Sequence, residues 1–229
     1  MLAAIEVSTR ISSVALLDLV TGEELAEFVL STDLESSVTL IPGLEMLLKK
    51  KEMTAKDLAA VAVSLGPGSF TGIRVGIATA EGLCMPSNIL SFGISTLEGL
   101  AENLRAAEMQ GEALCLIDAH RGECFVGHYE IGKEHVRELD PAQILGWGQL
   151  YTLLKGKAWI VGPGALKYEK EIRESLGVMG MFAFNSLHQP KAMSVARLAY
   201  REWQAGLRPS LQDLKPLYLR PPAVDENKI

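Results

Sequence analysis

Three cysteines in 229 residues, Cys84, Cys115 and Cys124, are odd in number and show no C-x-x-C spacing. A disulfide scaffold and a thiolate zinc site are therefore not expected, and a reducing, cytoplasmic compartment is. The four histidines, His120, His128, His135 and His188, form neither H-x-x-x-H nor H-E-x-x-H, so a histidine-built metal centre is not expected either. No charge-free run exceeds the 16 residues of 58–73 and 82–97, and glycine and proline interrupt both. Crossing a bilayer takes about 20 apolar residues, so no membrane segment is expected. No basic stretch precedes the first apolar run, so a signal peptide is not expected. Positive charge is also short: 22 Lys and Arg face 28 Asp and Glu, a net charge of −6. The deficit lies in residues 1–100, with 6 basic against 12 acidic, whereas 101–229 balance at 16 each. Such a chain should not grip a phosphate backbone strongly on its own.

Apolar residues are plentiful, at 48% of the chain against 22% charged. That excludes a disordered tail and suffices for two lobes, each with its own core. Strand-like runs at 2–7, 14–17 and 26–30, with a turn at Thr21-Gly22, predict an antiparallel meander. A helix follows with Leu40, Leu44, Leu47 and Leu48 on one face and Lys49, Lys50 and Lys51 at its negative end; Pro42 suits only its first turn. Residues 61–65 form a buried-type strand, 66–72 a glycine-rich turn and 73–84 a helix, and Ser95 with Glu98 has the capping-box spacing of another. The second half offers strands at 113–117, 124–130 and 135–139, and a short one at 158–161 running into Gly162-Pro163-Gly164. A helix at 167–176, a strand at 179–184 and a helix at 194–205 follow, the last striped by Val195, Ala199 and Trp203 and ended by Gly206. Three strands followed by further strands and helices in each half predict an α/β fold of two similar lobes, 1–100 and 101–229. The 191–206 helix is free to pack back on the first lobe.

Four turns could carry chemistry. Gly66-Pro67-Gly68-Ser69-Phe70-Thr71-Gly72-Ile73-Arg74-Val75-Gly76 joins strand to helix, where free amides suit an anion. It lacks the lysine of a P-loop, has Thr71 where a dinucleotide fingerprint needs glycine, and has Phe70 where a nucleophile elbow needs serine. A tight turn that lets the helix approach the sheet is the better reading from residues alone. Glu6, Ser8 and Thr9 end the first strand, and Asp118 to Glu123 occupy the matching place in the second half. With Gly162 and Gly164 they would outline a nucleotide cleft between lobes. The pairs Asp118/Glu123 and Glu23/Glu24 have no evident acid–base role. Residues 191–220 carry a local +4, more often a solvated helix face than an RNA contact.

The 66–76 turn closely resembles the signature of the TsaB (YeaZ) family, a subunit of the bacterial machinery that makes threonylcarbamoyladenosine in tRNA, and the similarity spans essentially the whole chain. Ile5–Thr9 resembles the family's opening I-D-T-S/T, and Ile117-Asp118-Ala119 with Gly122-Glu123 its I-D-A-R-x-G-E-V-Y segment. Val161-Gly162-Pro163-Gly164 resembles V-G-x-G, and Pro216-Leu217-Tyr218-Leu219-Arg220 the closing P-x-Y-L-R. The resemblance implies an actin/Hsp70-like fold of two ribonuclease-H-like lobes and a non-catalytic role. The implied partners are a catalytic paralogue, TsaD, bound as a heterodimer, and the ATPase TsaE, with tRNA met through the complex and ATP or ADP entering only at that level. No cofactor is implied for this chain, and a homodimer is expected when it is alone. Pairing through the first lobe's two helices would involve Leu40, Leu44, Leu47, Ile73, Arg74, Ile77 and Glu81. Glu6 in place of Asp, Ser36 in place of a frequent His, and His120 before Arg121 depart from the family pattern and point to a vestigial cleft. The alternative is a stand-alone ATP-binding phosphotransferase or ATPase using that cleft. A peptidase is least supported, with neither metal ligands nor an activated serine.

Overall fold

The computed structural model describes residues 1–30, 36–86 and 89–220, with backbone only for residues 36 and 37. Two five-stranded sheets share one topology. In the first, β1 (Leu2–Glu6), β2 (Ser13–Leu17) and β3 (Glu24–Val29) form the meander, and β4 (Ala60–Gly66) and β5 (Leu90–Ser95) add in parallel beside β1, giving the order β3-β2-β1-β4-β5. In the second, β6 (Gly111–His120), β7 (Glu123–Ile131) and β8 (Val136–Gly146) are antiparallel, and β9 (Ala158–Val161) and β10 (Gly180–Phe182) add in parallel beside β6, in the order β10-β9-β6-β7-β8.

The central strands are buried on both faces, and period two sorts their residues. Ala3, Ile5, Val61 and Val63 join a core with the helices α1 (Ser36–Lys50) and α2 (Phe70–Cys84). Leu2, Ala4, Ala60 and Ala62 meet Ala192, Val195, Ala196 and Ala199 of α6 (Ala192–Gln204) on the other face. Alanine against alanine lets α6 lie close to the sheet. In the second lobe, Ala113, Cys115 and Ile117 face α3 (Thr96–Ala106), while Leu114 and Leu116 face Ala165 of α4 (Pro163–Lys167) and Ile172 of α5 (Glu169–Leu176). The layers thus run α1/α2, sheet, α6 beside α3, sheet, α4/α5.

Several expectations need correction. Helix α1 starts at Ser36, so Pro42 sits inside it rather than in its first turn. Its ring is exposed, and the carbonyl of residue 38 that it leaves without a helical donor lies on the solvent side. Strand β5 was not legible, because Gly93 breaks its apolar run; a Cβ there would meet Leu65 Cδ1 at 2.4 Å. The helix expected at 167–176 is α5, from Glu169, and a separate short helix, α4, runs from Pro163 to Lys167 before it, with Tyr168 (φ −113°, ψ 29°) between the two. Strand β10 is only three residues, and β8 runs through Pro141 to Gly146 as an edge strand. Ser95 occupies the N-cap of α3, but its side chain makes no cap bond.

Candidate functional site

The ends of β1, β4, β6 and β9 carry all the turns singled out in the sequence. In the first lobe the glycine-rich turn is pressed against the residues after β1. A Cβ at Gly72 would lie 2.1 Å from the Val7 carbonyl oxygen, and one at Gly68 (φ +155°) 2.2 Å from that of Ser8. The Ser69 amide donates to the Ser8 carbonyl at 2.6 Å, and the Ser69 hydroxyl caps α2 by accepting from the Gly72 amide at 3.2 Å. Glycine is needed here for close backbone approach, and the turn backs onto carbonyl oxygens, which repel an anion.

The second lobe repeats the device. A Cβ at Gly162 (φ +116°) would meet the Leu116 carbonyl oxygen at 2.2 Å, and one at Gly164 the backbone of Ile117 and Asp118 at 3.0–3.1 Å. The β6–β7 hairpin turns on Arg121 and Gly122, both at positive φ (57° and 81°), after an irregular His120 at +63°.

The two carboxylates of the expected cleft are both engaged within the chain. Glu6 is fully buried; its Oε1 accepts from the Ser8 amide (2.7 Å) and hydroxyl (2.5 Å), while Oε2 has no hydrogen-bond partner among the described residues. Burial raises its pKa, offset only in part by the Ser8 bonds. Asp118 is partly buried, which works against ionisation. Lys167 Nζ at 2.5 Å, the His120 amide at 2.9 Å and Tyr168 OH at 2.9 Å outweigh that and hold its carboxyl below the usual range. Thr9 donates to the Ile11 carbonyl at 3.1 Å. These groups fit a turn-stabilising role better than a metal–nucleotide site, which would need open carboxylates.

The expected partner helices are partly recast. Leu40, Leu44, Leu47, Ile73 and Ile77 are buried in the chain's own core, because each lies on the stripe that faces the sheet. Arg74 is exposed and Glu81 half-buried. The outward face is instead Val38, Ile41 and Met46 on α1, at 60%, 40% and 43% exposure. Ile41 also lines an open groove of about 480 Å³ with Val75, Ala78, Thr79, Gly82 and Leu83 of α2. Arg74, Ala78 and Gly82 line up at i, i+4 and i+8. The small Ala78 and Gly82, off the main stripe, are the signal in the sequence that could have found this face. The side chain of Ser36 lies outside the described residues.

Half of the basic residues of the 191–220 segment are in internal ion pairs. Arg197 pairs with Glu24, Arg201 with the fully buried Glu102, and Arg220 with Glu123. Burial pushes the thiols of Cys84 and Cys124 up to about 11 and about 12, so neither is a nucleophile at neutral pH.

Twin sheets of identical strand order, each flanked by helices, with glycine turns meeting at the strand ends, define a two-lobed actin-like α/β protein. The family model described as "TsaD: tRNA N6-adenosine threonylcarbamoyltransferase" matches residues 28–200. The TsaB protein of Bacillus subtilis is 29% identical over 199 residues, covering 86% of this chain and 84% of that one. The Escherichia coli TsaB protein is 28% identical over 224 residues, 95% and 93% of the two chains. YeaZ from Pseudomonas aeruginosa superposes with a TM-score of 0.83 at 24% identity, covering 95% and 99%. The chain belongs to this family, on its TsaB (YeaZ) branch.

Proposed function

We propose that this chain is the non-catalytic subunit of a bacterial, cytoplasmic complex that makes threonylcarbamoyladenosine in tRNA, where it binds and activates a TsaD-type catalytic paralogue and helps recruit a TsaE-type ATPase. The curated relatives are named for that biosynthesis. The observation that carries the subunit reading is the outward α1/α2 face: exposed Val38, Ile41 and Met46, with Ile41 lining a groove shared with Ala78 and Gly82, on the lobe with the negative surplus. Apolar surface of this kind marks a protein contact. The buried Glu6 and the Lys167-paired Asp118 favour a binding subunit over a stand-alone ATP phosphotransferase.

Light scattering on a sizing column tests it, with the chain alone and then mixed with the TsaD-type protein of the same organism. A homodimer that exchanges into a one-to-one heterodimer supports the reading. Ile41→Glu and Ala78→Arg should each weaken that heterodimer at least tenfold without lowering Tm. A chain indifferent to the paralogue, or threonylcarbamoyl transfer that proceeds equally without it, would reject the proposal. ATP turnover by the isolated chain, lost in Asp118→Ala, would favour the phosphotransferase.

A further inference from the structure

Three of the sequence motifs meet at one place. Leu214 is buried in the α1/α2 core, and from there the chain leaves the first lobe along the end of β4, where the Leu217 amide donates to the Leu65 carbonyl at 2.8 Å. Tyr218 stacks on Phe70 of the glycine-rich turn with ring centroids 5.3 Å apart. Arg74 Nε donates to the Tyr218 hydroxyl at 3.0 Å, and its guanidinium lies 4.0 Å over the Phe70 ring. Two residues further on, Arg220 donates through Nη1 to the Ala119 carbonyl at 2.9 Å and through Nη2 to the Glu123 carboxylate, both in the β6–β7 hairpin of the second lobe. Residues 218–220, bent at 219 and 220, therefore bridge the two lobes with at most one intervening residue between the two sets of contacts.

We propose that residues 214–220 are a clasp that fixes how far the two lobes close, with the Phe70–Arg74–Tyr218 stack as its anchor and Arg220 as its tie. The turn motif supplies the anchor, the closing Pro-x-Tyr-Leu-Arg motif the strap, and the hairpin motif the catch. Each contact is local, but the strap makes them interdependent. Loss of the stack frees the strap, and a free strap no longer holds Arg220 against the hairpin. Arg74 also belongs to the exposed line of α2 with Ala78 and Gly82, so lobe closure is transmitted to that helix face.

Hydrogen exchange on the full chain tests the clasp through that interdependence. Tyr218→Ala removes only first-lobe contacts, and it should speed amide exchange in the 118–124 hairpin about tenfold, although Tyr218 has no bond to it. Arg220→Ala should do the same to the hairpin and also loosen residues 65–74. Tyr218→Phe keeps the stack and loses only the Arg74 hydrogen bond, so hairpin exchange should rise less than in Tyr218→Ala. Exchange in β1 and β2 serves as the folding control and should not change. If Tyr218→Ala accelerates exchange only within 214–220 and the glycine-rich turn, the strap does not couple the lobes and the proposal falls. Should Tyr218→Ala fail to fold, Arg220→Ala decides alone: unchanged exchange at 65–74 overturns the clasp.

Discussion

Gly72 and Gly82 lie ten residues apart on one helix and have opposite requirements. Gly72 sits where a methyl group would collide with a backbone carbonyl, whereas nothing lies within 4 Å of a Cβ at Gly82. Gly72→Ala should cost about 3 kcal/mol, since neither backbone can give way freely. Gly82→Ala should stabilise the isolated chain by about 0.5–1 kcal/mol, because alanine is the better helix former. Urea unfolding of both variants checks the pair of signs. Glu98 makes a further prediction at this scale. Burial, with the Glu202 and Glu138 carboxylates nearby, pushes its carboxyl up to about 7 from 4.5. The folded chain therefore keeps a proton that the unfolded chain has released, and stability falls as pH rises from about 4.5 to about 7. The loss assigned to this group is on the order of 3 kcal/mol. Glu98→Gln should flatten that slope in denaturation curves taken at pH 4.5, 5.5 and 7.

Helices α1 and α2 each divide into an inward stripe and an outward face. Leu40, Leu44, Leu47, Ile73 and Ile77 are all below 10% exposed. Leu44→Ala should therefore cost about 2–5 kcal/mol in unfolding free energy. An outward change such as Met46→Ala should stay within about 0.5 kcal/mol, which thermal melts of the two variants will separate. The heptad-like leucines identified these elements as helices and set which side faces the sheet. They say nothing about whether the opposite side meets water or another protein. That opposite side differs between the helices: exposed Val38, Ile41 and Met46 on α1, and small Ala78 and Gly82 on α2.

At the scale of the whole molecule, the lobes are held together along α3 and α6 as well as by the clasp. Glu102 on α3 has no exposed side-chain surface and binds two guanidinium groups, Arg105 at 2.7 Å and Arg201 of α6 at 2.6 Å. Asn103 beside it donates to the Leu187 and Gln189 carbonyls and accepts from the Ser194 hydroxyl at 2.6 Å. Glu102→Ala would strand two arginines, one on each side of the seam, and should lower stability by about 3–5 kcal/mol. The exposed Arg137–Glu130 pair should contribute about 0–1 kcal/mol in a double-mutant cycle. Calorimetry on Glu102→Ala and on Glu130→Ala compares the two.

The sequence by itself determined the alternation of strands and helices in two lobes, the glycines of the two turns and the family, but not that a 3-10 segment, Trp147–Leu153, stands in the second lobe where α1 stands in the first. Apolar period, glycine spacing and proline positions are local properties, and each central strand or turn imposes them within a few residues. Strand β5 escaped because Gly93 serves a packing contact to Leu65 rather than a turn, and the break at Tyr168 because no proline or glycine marks it. Only the tertiary structure decided which side of α1 and α2 is free, and that Glu6 and Asp118 are occupied by Ser8 and Lys167. It alone joined Phe70, Tyr218 and Arg220 across the lobes. Those contacts link residues about 100 to 150 positions apart, and no local pattern encodes a separation that depends on how two sheets are set against each other.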